Sequence, residues 1–407
     1  MNQFLYIDPG TGSMLFSVMI GLLTTLYFVG KAALLKLKFL FTGKSARPAV
    51  RGTRTPVVVY SEGKQYWNVF APILDEFERR SSPVLYFTSA EDDPAFGKKY
   101  EHVVPEFIGK GNKAFARLNF LEADVCLMTT PGLDVYQLKR SKGVKHYSHI
   151  LHAVDDATSY RLFGLDYFDS VLLSGDYQKA DVVKLEEMRG IAKKELVTVG
   201  CPYLDVMQAK VASLPKESDH PFTVLVAPSW GPSGILLKYG SKLLDRLAET
   251  GWRIIVRPHP QSSVSEKDAL DALTARYAGN TAIVWDYSRE NLECLSRADI
   301  MISDFSGVIF DYVFLFDRPF LYLNQSFDLK PYDAWDLGTT PWKFRVLPEI
   351  GKELRESEFD SVKTVIESAV ASSTLAKNRE KAKATAWQHP GESGTRAVDY
   401  ILSKTHI

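Results

Sequence analysis

The chain has 407 residues, 45% hydrophobic and 24% charged, the proportions of a globular protein with room for two domains. Lys+Arg and Asp+Glu are equal at 49 each, so no net field favours nucleic acid. Cys126, Cys201 and Cys294 lie far apart and form no Cys-x-x-Cys pair, which argues against a zinc site and for free thiols in a reduced compartment.

Residues 9–30 carry no charge and are mostly Leu, Phe, Val, Ile, Met, Gly and Thr. The run is long enough to cross a bilayer once as a helix. Asp8 is the only charge before it, whereas Lys31, Lys36, Lys38, Lys44, Arg47, Arg51 and Arg54 follow. The positive-inside bias then places the C-terminal body in the cytoplasm, on a single-pass anchor in the cell membrane. A cleaved signal peptide fits less well, because no basic region precedes the apolar run. Residues 31–54 read as a juxtamembrane segment, interfacial over 34–41, and then a linker.

The first globular domain spans 55–212. Strands are predicted at 56–60, 84–88, 102–108, 124–129, 147–151, 171–174 and 196–199, with helices at 67–80, 113–122 and 176–189. A second domain, 221–375, follows a polar linker. Its strands are predicted at 223–227, 252–256, 282–285, 300–302 and 320–323, and its helices at 240–250, 267–277, 289–296 and 307–316. Helices near 360–371, 378–387 and 395–403 close the body, the last two within a terminal segment, 376–407. Strands alternating with helices predict an α/β protein built on parallel sheets covered on both faces. Two such domains in tandem leave a cleft at the carboxyl ends of their strands, where open sheets bind ligands. Gly109-x-Gly111-x-x-Ala114 matches the dinucleotide fingerprint, but it follows the third predicted strand and not the first, so it reads as an ordinary turn.

Three segments of the second domain end strands at one sheet edge: Ala227-Pro228-Ser229-Trp230-Gly231, Arg257-Pro258-His259-Pro260, and Ser303-Asp304-Phe305-Ser306-Gly307. They supply a guanidinium, an imidazole, hydroxyls including that of Ser229, and the N-terminus of a helix. A planar guanidinium fork and unpaired helix N–H groups both suit phosphate oxygens. A phosphate or diphosphate ligand is therefore expected here. Trp230 can stack on a base or pack on its own domain.

Arg257-Pro258-His259-Pro260, followed by Ser303-Asp304-Phe305-Ser306-Gly307-Val308-Ile309-Phe310-Asp311, resembles the signature of the CDP-glycerol glycerophosphotransferases of teichoic acid synthesis. The resemblance covers about 222–324. It implies the GT-B fold, two Rossmann-like domains facing a central cleft. It also implies transfer of glycerol phosphate from CDP-glycerol to a polymer or lipid-linked acceptor, releasing CMP. By this resemblance Arg257, His259, Ser303, Ser306 and Gly307 fall on donor phosphate-binding positions, and Asp304 and Asp311 order the loop or the nucleotide side. The family places a general-base histidine of the first domain in a Trp-His-Gly motif. This chain departs from that motif: the counterpart is His152 in Ile150-Leu151-His152-Ala153, with His149 and His146 nearby as competitors. Elsewhere the first domain is similar only in pattern, at Tyr60-Ser61-Glu62 with Tyr66-Trp67 and at Val199 to Asp205.

No cofactor is implied. No metal site is expected either, since no Asp-x-Asp triplet occurs, and Asp92-Asp93 and Asp155-Asp156 read as solvated loop carboxylates. The expected partners are a CDP-activated polyol, the membrane and a membrane-associated or polymer acceptor. Two other readings stand beside the transferase: a nucleotide-sugar glycosyltransferase on the same scaffold, and a catalytically silent module that binds a nucleotide or phospholipid.

Overall fold

Val57, Val58 and Val59 are consecutive and all buried, as in a strand covered on both faces. They sit in the centre of a seven-stranded sheet. Its strands are β1 (Thr55–Ser61), β2 (Val84–Thr88), β3 (Val103–Phe107), β4 (Glu122–Met128), β5 (Gly143–Ile150), β6 (Ser170–Leu173) and β7 (Glu195–Thr198). They run in the order β3-β2-β1-β4-β5-β6-β7, all parallel. A second parallel sheet follows, made of β8 (Thr223–Val226), β9 (Arg253–Val256), β10 (Ile283–Trp285), β11 (Ile300–Ser303), β12 (Phe320–Tyr322) and β13 (Lys352–Glu353). Its order is β10-β9-β8-β11-β12-β13. In each sheet the winding reverses beside the first strand, between β1 and β4 and between β8 and β11. That reversal opens a crevice at the carboxyl ends of the strands.

This computed structural model describes residue 30 and residues 55–215, 220–288 and 290–405. The expected span at 9–30, apart from Gly30, and the segment 31–54 lie outside the described residues. Among the described residues no helix is long and apolar enough to cross a membrane. Both sheets belong to one compact unit, residues 54–407.

Several connections differ from the sequence expectation. Helices at Pro202–Ala212, Asp333–Leu337 and Trp342–Ile350, and the two-residue edge strand β13, carry too short or too mixed a pattern to be read locally. The helix expected at 240–250 begins a turn and a half earlier, at Ile235, and kinks at Gly240, whose backbone leaves the helical region at φ 10°, ψ −99°. The final helix, Ser393–Ser403, returns to the first half. It packs on the helix Trp67–Arg79, with Arg80 bonded to Asp399 at 2.7 Å. Asp205 anchors this return by accepting from Trp387 Nε1 at 2.9 Å and from the N–H of Gly391 at 2.8 Å.

Two carboxylates expected in solvent are buried. Asp93 accepts the Thr88 hydroxyl at 2.6 Å and the Ala95 N–H at 3.0 Å, and so caps a short turn. Asp156 accepts the N–H groups of Trp342 at 2.7 Å and Lys343 at 3.0 Å, capping a helix of the second half from a loop of the first. Burial, and then the neighbouring Asp155, push its carboxyl up to about 6. A buried carboxylate keeps its place when it holds N–H donors that would otherwise have none. The Gly109 turn leads from the edge strand β3 into the helix Asn112–Leu118, away from the point where the winding reverses. The three cysteines are free and buried.

Candidate active site

The helix Val308–Phe316 starts where β11 ends. Ile309, Phe310, Tyr312, Val313 and Phe314 are all buried, so the helix is fixed along its length and its N-terminus is held in place. Within its first turn the N–H of Ile309 donates to the Ser306 carbonyl at 3.2 Å and that of Phe310 to the Gly307 carbonyl at 3.0 Å, so what this terminus offers an anion is mainly the positive end of the helix dipole. The loop before it, Asp304 to Gly307, meets the loops that leave β8 and β9. Together they wall a cavity of about 450 Å³. Ala227, Pro228, Arg257, His259, Ser306, Gly307 and Asn291 line it from the second half, and Asn68, Tyr203 and Lys210 from the first.

Arg257, His259, Ser306 and Gly307 are thus brought together as the sequence suggests. Their roles within the cavity differ. His259 Nδ1 accepts the N–H of Gln261 at 3.1 Å. A neutral ring bonded in this way keeps its proton on Nε2. Burial lowers its pKa against the pull of Glu266 and Asp304, so near neutral pH it acts as an N–H donor. Arg257 is already engaged: Nη1 bonds Asp286 at 2.6 Å and the Ser288 hydroxyl at 3.1 Å, and Nη2 bonds the Ser288 carbonyl at 2.8 Å. A bidentate grip on a phosphate would need part of that network to exchange. Trp230 is half exposed, with its ring centroid 6.3 Å from that of His259.

The remaining donor-side residues lie beneath the cavity and build it. Ser303 is fully buried and its hydroxyl donates to the Ala227 carbonyl at 2.6 Å, tying the end of β11 to the end of β8. That engagement leaves no free hydroxyl for a ligand, contrary to the expectation. Asp304 accepts the N–H groups of Phe305 at 2.7 Å, Ser229 at 3.0 Å and Ile235 at 3.2 Å. It ties both loops together and caps the helix Ile235–Ala248. Ser229 joins the site through that N–H and is not among the residues lining the cavity. Asp311 accepts the Tyr203 hydroxyl at 3.1 Å. Part of its surface stays accessible, yet the protein around it removes most of the water a charge needs, and burial pushes its carboxyl up to about 7.

His152 stands apart from the cavity lining, at the end of β5. Its ring meets that of Tyr66 edge-on, centroids 5.4 Å apart, and Tyr66 is two residues before the cavity residue Asn68. Burial lowers the pKa of His152, with Asp155 acting against it. The two competitors have other positions. His149 is fully buried and pushed down to about 3 by burial. His146 bonds Ser170 at 2.9 Å, far along the same strand from its carboxyl end. Among the described residues no group of three or more His, Cys, Asp or Glu is placed to hold a metal ion. The residues that sequence reasoning missed include Asn68, Asn291 and Lys210 in the cavity wall and Tyr160 beside His152, while Tyr203 lay in the Val199 to Asp205 stretch without a role assigned to it. None carries a local motif.

The sequence model of the CDP-glycerol:poly(glycerophosphate) glycerophosphotransferase family matches residues 161–356, which include every strand of the second sheet. Those residues, a little under half of the chain, resemble this family. The chain is a CDP-glycerol glycerophosphotransferase-like transferase. Among solved structures, the wall teichoic acid polymerase TagF is 16% identical with a TM-score of 0.53, over 86% of this chain and 89% of that one. A TagF variant soaked with CDPG is 14% identical with a TM-score of 0.54, over 86% and 88%. A UDP-GlcNAc 2-epimerase from Methanocaldococcus jannaschii is 13% identical with a TM-score of 0.51, over 86% and 100%. At such identities the likeness shows the fold, GT-B-like with two parallel sheets, and an epimerase shares it, so the fold alone does not choose the chemistry. No curated protein matches the chain's sequence at a significant level.

Proposed function

We propose that this glycerophosphotransferase-like chain is anchored by one N-terminal span, with its body on the cytoplasmic side. In this reading it moves a polyol phosphate from a CDP-activated donor to a membrane-associated or polymer acceptor. The observation that carries the reading is the cavity itself. A helix N-terminus, an N–H-donating histidine and an arginine converge at the point where the second sheet reverses its winding, inside the stretch that the family model matches. All three are groups that stabilise phosphate oxygens.

The reaction follows from placing the donor diphosphate there. The acceptor hydroxyl gives its proton to His152 and its oxygen attacks the β-phosphorus. The bond from that phosphorus to the bridging oxygen breaks, and its electron pair leaves with CMP. His259 Nε2–H, the first turn of Val308–Phe316 and Arg257 hold the charge that develops on the phosphates. Asn68 and Tyr203 bring the first half to the cavity, so the acceptor enters from the side of His152.

Incubation with labelled CDP-glycerol and, separately, with UDP-sugars tests the reading. CMP released from the first, with labelled glycerol phosphate moved to an acceptor, is the expected result. UDP released from the second with no CMP from the first would replace it with sugar transfer.

A further inference from the structure

Three side chains at the end of β5 stand in line. His149 Nε2 is 3.0 Å from the Tyr160 hydroxyl, and the same hydroxyl is 3.3 Å from His152 Nδ1. Each ring is held from elsewhere. His149 is fully buried and meets Phe168 edge-on at 5.0 Å. Tyr160 is gripped through its backbone by the second half: its carbonyl accepts the Asp333 N–H at 2.9 Å, and the Leu162 N–H donates to the Pro331 carbonyl at 3.1 Å. The Asp333 carboxylate continues the clamp, accepting from the N–H groups of Phe163 at 2.7 Å and Gly164 at 3.2 Å. It is pinned in turn by Arg189 at 2.7 Å. Tyr66 meets the His152 ring edge-on, with centroids 5.4 Å apart.

We propose that Tyr160 is a positioning residue for the transfer reaction: its hydroxyl holds Nδ1 of His152, leaving Nε2 to take the acceptor's proton, and His149 holds that hydroxyl in turn. The inference rests on His152 being the base, as proposed above. A neutral imidazole carries one N–H, and a base at Nε2 needs that proton on Nδ1. The hydroxyl supplies the acceptor for it. The Tyr160 O–H then donates to His149 Nε2, which is free to accept because burial keeps His149 neutral. The cost falls on His149 Nδ1, which is buried with no partner, so the two contacts of the hydroxyl must outweigh it. Without the hydroxyl, His152 can place its proton on Nε2 and offer the acceptor a donor where a base is required. The carbonyl and N–H contacts to 331–333 give the device a second property: the half that holds the donor also fixes the residue that sets the base.

The groups facing His152 are Asp155, which favours its charged form, His149, Tyr160 and Tyr66 with Glu62 behind it. Once His152 is protonated, its Nδ1–H still donates to the Tyr160 oxygen, so the contact favours the imidazolium. Removing it lowers the pKa of His152.

The test is steady-state turnover of CDP-glycerol by the full-length protein, with folding followed by thermal melting. Tyr160→Phe is expected to lower kcat by about 10-fold or more while KM for CDP-glycerol stays within about 2-fold. The acidic limb of its pH–rate profile should move to lower pH. His149→Gln, whose Oε1 can still accept the hydroxyl, should retain turnover, whereas His149→Leu should repeat the Tyr160→Phe effect in kcat and in pH. If Tyr160→Phe keeps the wild-type kcat and acidic limb while His152→Ala is inactive, the positioning role is overturned and the base stands. An active His152→Ala overturns both. Should Tyr160→Phe fail to fold, His149→Leu decides: wild-type turnover and pH profile in that variant also overturn the proposal.

Discussion

The two sides of the cleft are built differently. On the second sheet, the cavity wall comes from three short loops that each leave a strand end, and most of its contacts are local or join neighbouring loops: Gln261 to His259, Ser303 to Ala227, Ser229 to Asp304. On the first sheet, His152 depends on Tyr66, which lies before β2, on Tyr160, and through Tyr160 on residues 331–333 of the other half. A site made of strand-end loops appears in sequence as contiguous motifs. A site held by distant partners leaves no such trace. In the reaction proposed above, the second side stabilises charge and the first takes the proton.

The largest effect that sharpens the comparison is on turnover. His152→Ala should lower kcat by about 10²–10⁴-fold, the usual contribution of a general base. Glycerol phosphate transfer measured under saturating CDP-glycerol reads it. Normal turnover would move the base elsewhere and remove the functional contrast between the halves.

Next comes the scaffold of the donor side. Asp304→Ala would leave the N–H groups of Ser229, Ile235 and Phe305 without their acceptor. Stability should fall by about 2–4 kcal/mol, since buried donors left unpaired cost more than the bonds contribute. Urea unfolding followed by circular dichroism measures it. A loss under about 1 kcal/mol would mean that the loops hold without this carboxylate.

A smaller effect depends on pH. Asp311 has its carboxyl raised from 3.8 to about 7, so the folded protein keeps a proton there that the unfolded chain loses. The stability this contributes is complete below 3.8 and is lost as the pH rises through 7. Asp311→Asn keeps an acceptor for Tyr203 and carries no charge to bury. It should therefore melt close to wild type at pH 4 and be more stable at pH 8. The gain there should be about 1–2 kcal/mol, reduced from the full shift because the side chain is partly accessible. Equal stability of the two proteins at pH 8 would show that Asp311 ionises without penalty.

Much of the architecture was legible because it rests on periodicity. The run Val57 to Val59 and the nearly all-apolar helix after Gly307 can only be buried elements, and alternating strands and helices select parallel sheets. Arg257, His259, Ser306 and Gly307 were legible for the same local reason, since each follows a strand end directly. What escaped is non-local. The helix Trp342–Ile350 contains Pro348 and is preceded by Pro341, and the carboxylate that caps it, Asp156, lies 186 residues away in sequence. Asp93 and Asp156 looked like solvated loop carboxylates because their N–H partners belong to turns and helices that only the fold supplies. Ser303 looked like a phosphate ligand because nothing in sequence shows that Ala227 is within reach of its hydroxyl. Tyr160 could not be singled out at all: its role exists only where β5, the loop after it and residues 331–333 meet.

The division of the cleft is tested most directly by the CDP affinity of two variants, titrated calorimetrically against the wild-type protein. His259→Ala should weaken CDP by about 10-fold, because a phosphate-side donor is lost from the ground state, and His152→Ala should stay within about 2-fold of wild type. Equal losses in the two variants, or wild-type affinity in His259→Ala, would contradict the assignment of the donor to the second sheet and the base to the first.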